Sequence, residues 1–230
     1  KKTEEHFTAD SWSYTEDGYL MFSGTGALDE MYVMTLSDVK EYAALRVEPL
    51  DEACREWNEK ALLPVGYECN NLFLTDWDET DFGELDFYDL FDVFYPQIYH
   101  RKIPWQSGEN AGNSTVYGIP SKEFESVIQK FLNVKTDILR KKTIYREKDD
   151  TYEYYPRGFY ESEYPEHPYP EVTAFQENDD GTVTLTVHAV FPYLGSSRAF
   201  VHEVTVRPTE NAAAAVRYVS NKIISSLDDP

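Results

Sequence analysis

Cysteine is scarce in this 230-residue chain, which has only Cys54 and Cys69. Without a second pair or a suitably spaced histidine, these two thiols do not form a zinc pattern. They leave two readings, one disulfide or two unrelated thiols, and in an exported protein the bridge is expected. Long apolar runs are missing as well: no stretch of 18 apolar residues reads as a transmembrane segment. The opening KKTEEHF lacks the apolar core of a signal peptide, so either the protein is cytosolic or a targeting segment lies upstream. Positive charge is in short supply, with 21 Lys and Arg against 42 Asp and Glu and a formal net charge of −21. That balance excludes duplex nucleic acid as the expected partner, because such affinity rests on cations that displace counterions. Anionic membrane surfaces are disfavoured for the same reason, and the charge suits solubility, a cationic partner or a metal.

What is present suits a globular fold. Hydrophobic residues make up 41% and aromatic residues 15% of the chain, enough for a substantial core. Tyrosine leads the aromatics with 18 residues, against 13 Phe and 4 Trp. Tyr tolerates half-wet positions, so this excess fits either the edges of a wide sheet or an aromatic binding surface. Residues 1–16 are polar and read as a flexible lead. The expected organisation is a single domain over 17–230, the alternative being two lobes that divide at the Gly-, Asn- and Ser-rich run 107–114.

The strongest pattern is a β-hairpin over 182–207, with arms TVTLTVHAVF and AFVHEVTVR. A two-residue turn at Gly195-Ser196 places Phe191 opposite Phe200, Val187 opposite Val204 and Leu185 opposite Val206. One face is then apolar except for His202. The other sets His188 beside Glu203, whose carboxylate should raise the imidazole pKa. Pro192 conflicts with this register, having no N–H for the ladder. Upstream, a turn at 178–181 with a left-handed Gly181 sets Phe175 opposite Leu185. Helices are expected over 37–46, 50–62, 84–95, 121–132 and 136–141. The apolar stripe Phe87, Leu90, Phe91, Phe94 and Ile98 marks one of them, and Ser121 is read as the cap of another. Small strands flank Lys148-Asp149-Asp150, and a last strand covers 216–223. The fold class is α+β: a curved antiparallel meander covered on one face by helices, resembling cystatin-like or nuclear-transport-factor-like sheets.

Three stretches raise chemistry. Gly24-Thr25-Gly26 lacks the third glycine and the surrounding strand–helix unit of a dinucleotide loop. Leu72-Phe73-Leu74-Thr75-Asp76-Trp77-Asp78-Glu79-Thr80 resembles the strand end of an aspartate-nucleophile phosphatase. It departs from that signature at Asp81 and in the absence of following strand–helix repeats. The same run offers Asp76, Asp78 and Asp81 to an irregular Ca²⁺ site, although Asp81 and Phe87 stand where a calcium loop needs Gly and Glu. Its default reading is a solvated acidic turn. Finally, Tyr95, Tyr99 and Trp105 flank the cations of His100, Arg101 and Lys102, where aromatic faces and positive charge could hold a sugar or an anionic group. His202 joins these as a ligand contact if the helices leave the sheet partly uncovered; otherwise it is a hydrogen-bonded core residue.

The helix over 121–132, the motif Tyr152-x-Tyr154-x-x-Arg157-Gly158, and the strands LTVHAVF, AFVHEVTVRP and RYVSNKI together resemble the C-terminal part of exported lipoproteins of Gram-positive, Clostridia-type bacteria. The resemblance spans about residues 115–225. It implies an extracellular domain anchored through an upstream lipid-modified cysteine, in a family with no assigned activity. The expected function is therefore a non-enzymatic binding or interaction module whose partner is an envelope ligand or protein. The alternative is a hydrolase acting on envelope polymers or phosphorylated ligands through carboxylates of the 76–92 region, which would need two carboxyl groups facing each other across a groove.

Overall fold

The computed structural model describes residues 8–14, 19–25, 34–35, 51–104, 116–155, 168–191, 196–210 and 214–226, with 8–14, 19–25, 34–35 and 226 described as backbone alone. The protein is α+β. Its main body is a five-stranded antiparallel sheet backed by helices, with a small three-stranded sheet beside them. In chain order, β1 (Thr8–Tyr14), β2 (Tyr19–Thr25) and β3 (Met34–Thr35) form an antiparallel ribbon. Then come α1 (Glu52–Trp57), which continues as a π-helical turn over Asn58–Leu62, and the short β4 (Trp77–Asp78). Helix α2 (Phe87–Tyr99) precedes β5 (Tyr117–Pro120), α3 (Ser121–Phe131) and α4 (Thr136–Lys142). The chain ends with β6 (Tyr145–Arg146), β7 (Thr151–Tyr154), β8 (Tyr169–Glu177), β9 (Val183–Phe191), β10 (Ser196–Pro208) and β11 (Val216–Ser226). The main sheet runs β4-β11-β10-β9-β8 and the small one β5-β7-β6.

The inner face of the large sheet carries the alternation expected of half-buried strands. Leu185, Val187, Val204 and Val206 are fully buried and share one core with Leu90, Phe91 and Phe94 of α2 and Phe124, Val127 and Ile128 of α3. Aromatic rings join the layers. Phe94 stacks on Phe131 at 4.1 Å and on Tyr218 of β11 at 6.2 Å, and Phe91 stacks on Phe124 at 5.0 Å. The Tyr218 hydroxyl donates to the Ala61 carbonyl at 2.7 Å, tying the π turn to the sheet. Two irregularities in the β10–β11 ladder, between Val201 and His202 and between Thr205 and Val206, place unpaired residues in β11.

The β9–β10 register differs from the tight-turn expectation by two residues. Leu185 pairs with Val204, Val187 with His202 and Ala189 with Phe200. A two-residue slip keeps every side chain on its face, so the sorting into apolar and polar faces survives. Phe191 pairs with Ser196, so the ladder does not ask Pro192 for an N–H. Consequently His188 lies opposite Val201 and Glu171, and Glu203 faces Thr186 instead. The His188 pKa is lowered, by burial and then by Arg198, against an opposing effect of Glu171; the expected rise is corrected. The pairing of Phe175 with Leu185 and the left-handed Gly181 agree with the sequence.

Other expectations shift locally. Ser121 does not cap α3: Pro120 occupies the N-cap without a side-chain bond, and the Ser121 amide donates to the Asp150 carbonyl at 3.0 Å. Pro96 lies inside α2, near its end, and the helix runs on to Tyr99. Leu72-Phe73-Leu74 is a series of turns. Cys54 and Cys69 are free thiols, so the expected bridge is absent. Cys54 points into the core from α1, whereas Cys69 is exposed in the following loop with a left-handed φ of 54°. The expected helix at 37–46 and the run 107–114 lie outside the described residues.

Candidate functional site

The sequence singled out residues that the fold separates into three places. The first is the C-terminal end of α2. Tyr95 is fully buried, and its hydroxyl accepts from Arg101 Nη2 at 2.7 Å. Tyr99 is 38% exposed, packs 4.6 Å from the Tyr95 ring, and lies 5.5 Å beneath the Arg101 guanidinium. Between them in sequence, His100 ends the helix in the left-handed region at φ 50°, a position usually given to glycine. His100 lines an open cleft of about 380 Å³ together with Glu59, Lys60, Pro64, Gln97, Phe131, Ala214, Ala215, Val216 and Tyr218. Glu59 and Lys60 come from the π turn, a rare geometry that recurs at functional positions. The Lys60 ammonium sits 4.9 Å from the Trp57 ring. Gln97 braces the cleft wall by donating to the Pro64 carbonyl at 3.0 Å. Trp105, the remaining member of this aromatic–cation group, lies outside the described residues.

The second place is the core. His202 is fully buried. Its Nδ1 is 2.7 Å from Asn221 Oδ1 and its Nε2 is 2.8 Å from the Tyr67 hydroxyl. The network assigns the proton to Nδ1: the Asn221 oxygen can only accept, and the Asn221 amide donates to the Thr75 carbonyl at 2.8 Å. Burial lowers the His202 pKa to about 4, with Asn221 opposing. Both imidazole nitrogens are thus bonded inside the core, with no exposure to solvent.

The third place is the acidic loop. Asp76, Asp78 and Asp81 line an open cleft of about 410 Å³ with Trp77, Ser220, Asn221 and Lys222. In each, Oδ1 already serves the fold. Asp78 Oδ1 accepts from the Thr80 amide at 2.7 Å, the Thr80 hydroxyl at 2.6 Å and the Asp81 amide at 2.9 Å. Asp81 Oδ1 accepts from the Gly83 amide at 3.0 Å, and Asp76 Oδ1 from the Ile223 amide at 2.7 Å. The Thr80 and Asp81 bonds hold the Asp78 carboxyl below its usual range. Among the described residues, no group of three His, Cys, Asp or Glu is arranged to hold a metal ion.

Sequence reasoning places Asp92 among the 76–92 carboxylates without singling it out. It is buried on α2 and accepts from the Tyr154 hydroxyl of β7 at 2.8 Å. Burial raises its carboxyl to about 7, against a lowering effect of Tyr154 and with a further rise from Asp86. The available signal was helical spacing: Asp92 interrupts a second stripe formed by Tyr88, Tyr95 and Tyr99.

A family model described as a family of unknown function, DUF6070, matches residues 1–229. The chain belongs to DUF6070. No curated protein and no solved structure matches it. Within this DUF6070 protein, no helix among the described residues is long and apolar enough to cross a membrane.

Proposed function

We propose that this DUF6070 protein is a non-enzymatic binding module of the cell envelope, exported and anchored through an upstream lipid-modified cysteine, with its ligand contacts at the end of α2. The export and anchoring parts rest on the resemblance of residues 115–225 to exported lipoproteins. The observation that carries the binding part is the convergence of two unusual backbone features on one cleft. A non-glycine residue in the left-handed region, His100, and a π turn carrying Glu59 and Lys60 both shape its wall. Such conformations have an energetic cost and cluster where ligands are held. On either side of His100 in sequence, though not in the lining of the cleft, the exposed Tyr99 ring and the Arg101 guanidinium suit a sugar face with polar substituents.

The distribution of carboxyl groups favours binding over hydrolysis. Asp92, the carboxyl of the 76–92 region raised to about 7, is buried against Tyr154. Asp78, in the open acidic cleft, is held below its usual range. A hydrolase of the glycosidase type needs its raised acid and its ionised partner to face one substrate. The test is calorimetric titration of the chain with soluble cell-wall glycan fragments. The wild type is expected to bind saturably, and Tyr99→Ala to weaken binding about tenfold, the loss typical of a stacking contact. Absence of binding, an affinity unchanged by Tyr99→Ala, or cleavage of the fragments would each overturn this reading.

A further inference from the structure

Three cations meet at one end of the large sheet, in a chain whose net charge is −21. Arg207 of β10 and Arg217 of β11 are direct partners across the ladder. Lys130, in the last turn of α3, stands against them, and Arg217 Nε donates to its carbonyl at 3.3 Å. With Thr209 and Ala214, these three side chains line a cleft of about 260 Å³. Glu79 Oε1 lies 3.6 Å from Arg207 Nη1. Among the described residues, no carboxylate pairs with Arg217 or Lys130. The Asp180 carboxyl is held below its usual range by Thr182 and also by Arg207, so two carboxylates, both on the Arg207 side, stand against three cations and leave about one positive charge uncompensated at the cleft.

Like charges directly opposite on neighbouring strands destabilise a sheet. This chain has 42 acidic residues, yet places Arg against Arg with a lysine beside them. A ligand that needs all three cations gives that arrangement a purpose. Guanidinium forks match the oxygens of a phosphate group bidentately, and the ammonium adds a point charge. A phosphate monoester carries a charge of about −1.5 to −2 at neutral pH and is drawn to the net positive charge of the cleft, where Arg217 and Lys130 have no carboxylate partner among the described residues. We propose that Arg207, Arg217 and Lys130 bind a phosphate-monoester group. This cleft shares Ala214 with the cleft at His100, but the proposal does not depend on the glycan reading.

The test titrates the full chain with inorganic phosphate and with glycerol phosphate at low ionic strength, followed by calorimetry and ³¹P NMR, with chloride controls of equal ionic strength. The wild type binds one equivalent saturably. Arg217→Ala and Arg207→Ala each weaken binding about tenfold or more, as expected for loss of a charge-assisted bond. Arg217→Lys, which keeps the charge and loses the fork, weakens it less. Tyr99→Ala leaves phosphate binding unchanged, which separates this site from the glycan reading. Thermal melting of each variant without phosphate confirms folding. Co-sedimentation with phosphatidate vesicles but not phosphatidylcholine vesicles assigns the group to a lipid headgroup; binding of the soluble ester alone assigns it to a small molecule. The proposal is overturned if chloride reproduces the effect, if the wild type shows no saturable binding, or if both arginine substitutions leave the affinity unchanged.

Discussion

Two buried titratable residues pull stability in opposite directions with pH. His202 has a pKa of about 4 in the fold against an ordinary 6.5, so the folded state resists its protonation. Its contribution is intact above pH 6.5 and is lost as pH falls toward 4, by about 3 kcal/mol in all. Asp92, raised from 3.8 to about 7, behaves in reverse. Its contribution is present below pH 4 and is lost as pH rises through 7, by about 4 kcal/mol. Between pH 7 and 4 the two nearly cancel. Asp92→Asn removes one side of this balance, and urea denaturation should then show stability falling on acidification more steeply than in the wild type. Parallel profiles would refute the Asp92 assignment. Tyr67→Phe leaves His202 Nε2 unpaired in the core and should cost about 1–3 kcal/mol in the same measurement. The sequence shows that an inner-face His202 needs a partner. It does not name Tyr67 or Asn221, because the bond to Tyr67 spans 135 positions and depends on the loop path.

At the scale of elements, the sequence is informative where periodicity is strong. The stripe Phe87, Leu90, Phe91, Phe94 marks α2, and the alternation in β9 and β10 assigns each residue to its correct face. The register expected from a two-residue turn is off by two, because Phe191 pairs with Ser196 across a longer loop. Parity is written in side chains; loop length is not. Strand β5 has no periodic signal in the sequence, since Tyr117–Pro120 is short and pairs with a distant β7. The sequence marks an aromatic–cation group at the end of α2, of which His100 alone lines the cleft; the cleft itself is not legible because Glu59 and Lys60 arrive from another helix. His100→Gly relieves a left-handed side chain, so it should raise stability by about 0.5–1 kcal/mol while weakening ligand binding. A loss of stability would show that the His100 side chain supports the fold instead. Gly83 is the opposite case. Its φ is 47°, and an added Cβ would stand 2.7 Å from the Asp76 carbonyl oxygen. Gly83→Ala should therefore cost about 1–3 kcal/mol by thermal or urea unfolding.

For the whole molecule, charge sets the tone. A formal −21 repels itself in the compact state. Moderate sodium chloride should raise the melting temperature by screening that repulsion, and a temperature that falls with salt would mean that ion pairs dominate. Against this background the fold separates its chemistry. Polar groups in the core are bonded to one another, as His202 is to Asn221 and Tyr67 and as Asp92 is to Tyr154. The open surface carries the cleft at His100 and the basic cleft at Arg217. The central claim, that this protein binds at the end of α2 without catalysing a reaction, is tested most directly by amide chemical-shift mapping of the ¹⁵N-labelled chain titrated with soluble cell-wall glycan fragments. The account predicts saturable shifts clustered at Gln97, Tyr99, His100 and Arg101, an unmoved His202, and fragments recovered intact. Shifts centred on Asp76 to Asp81, or fragments shortened during the titration, would contradict it.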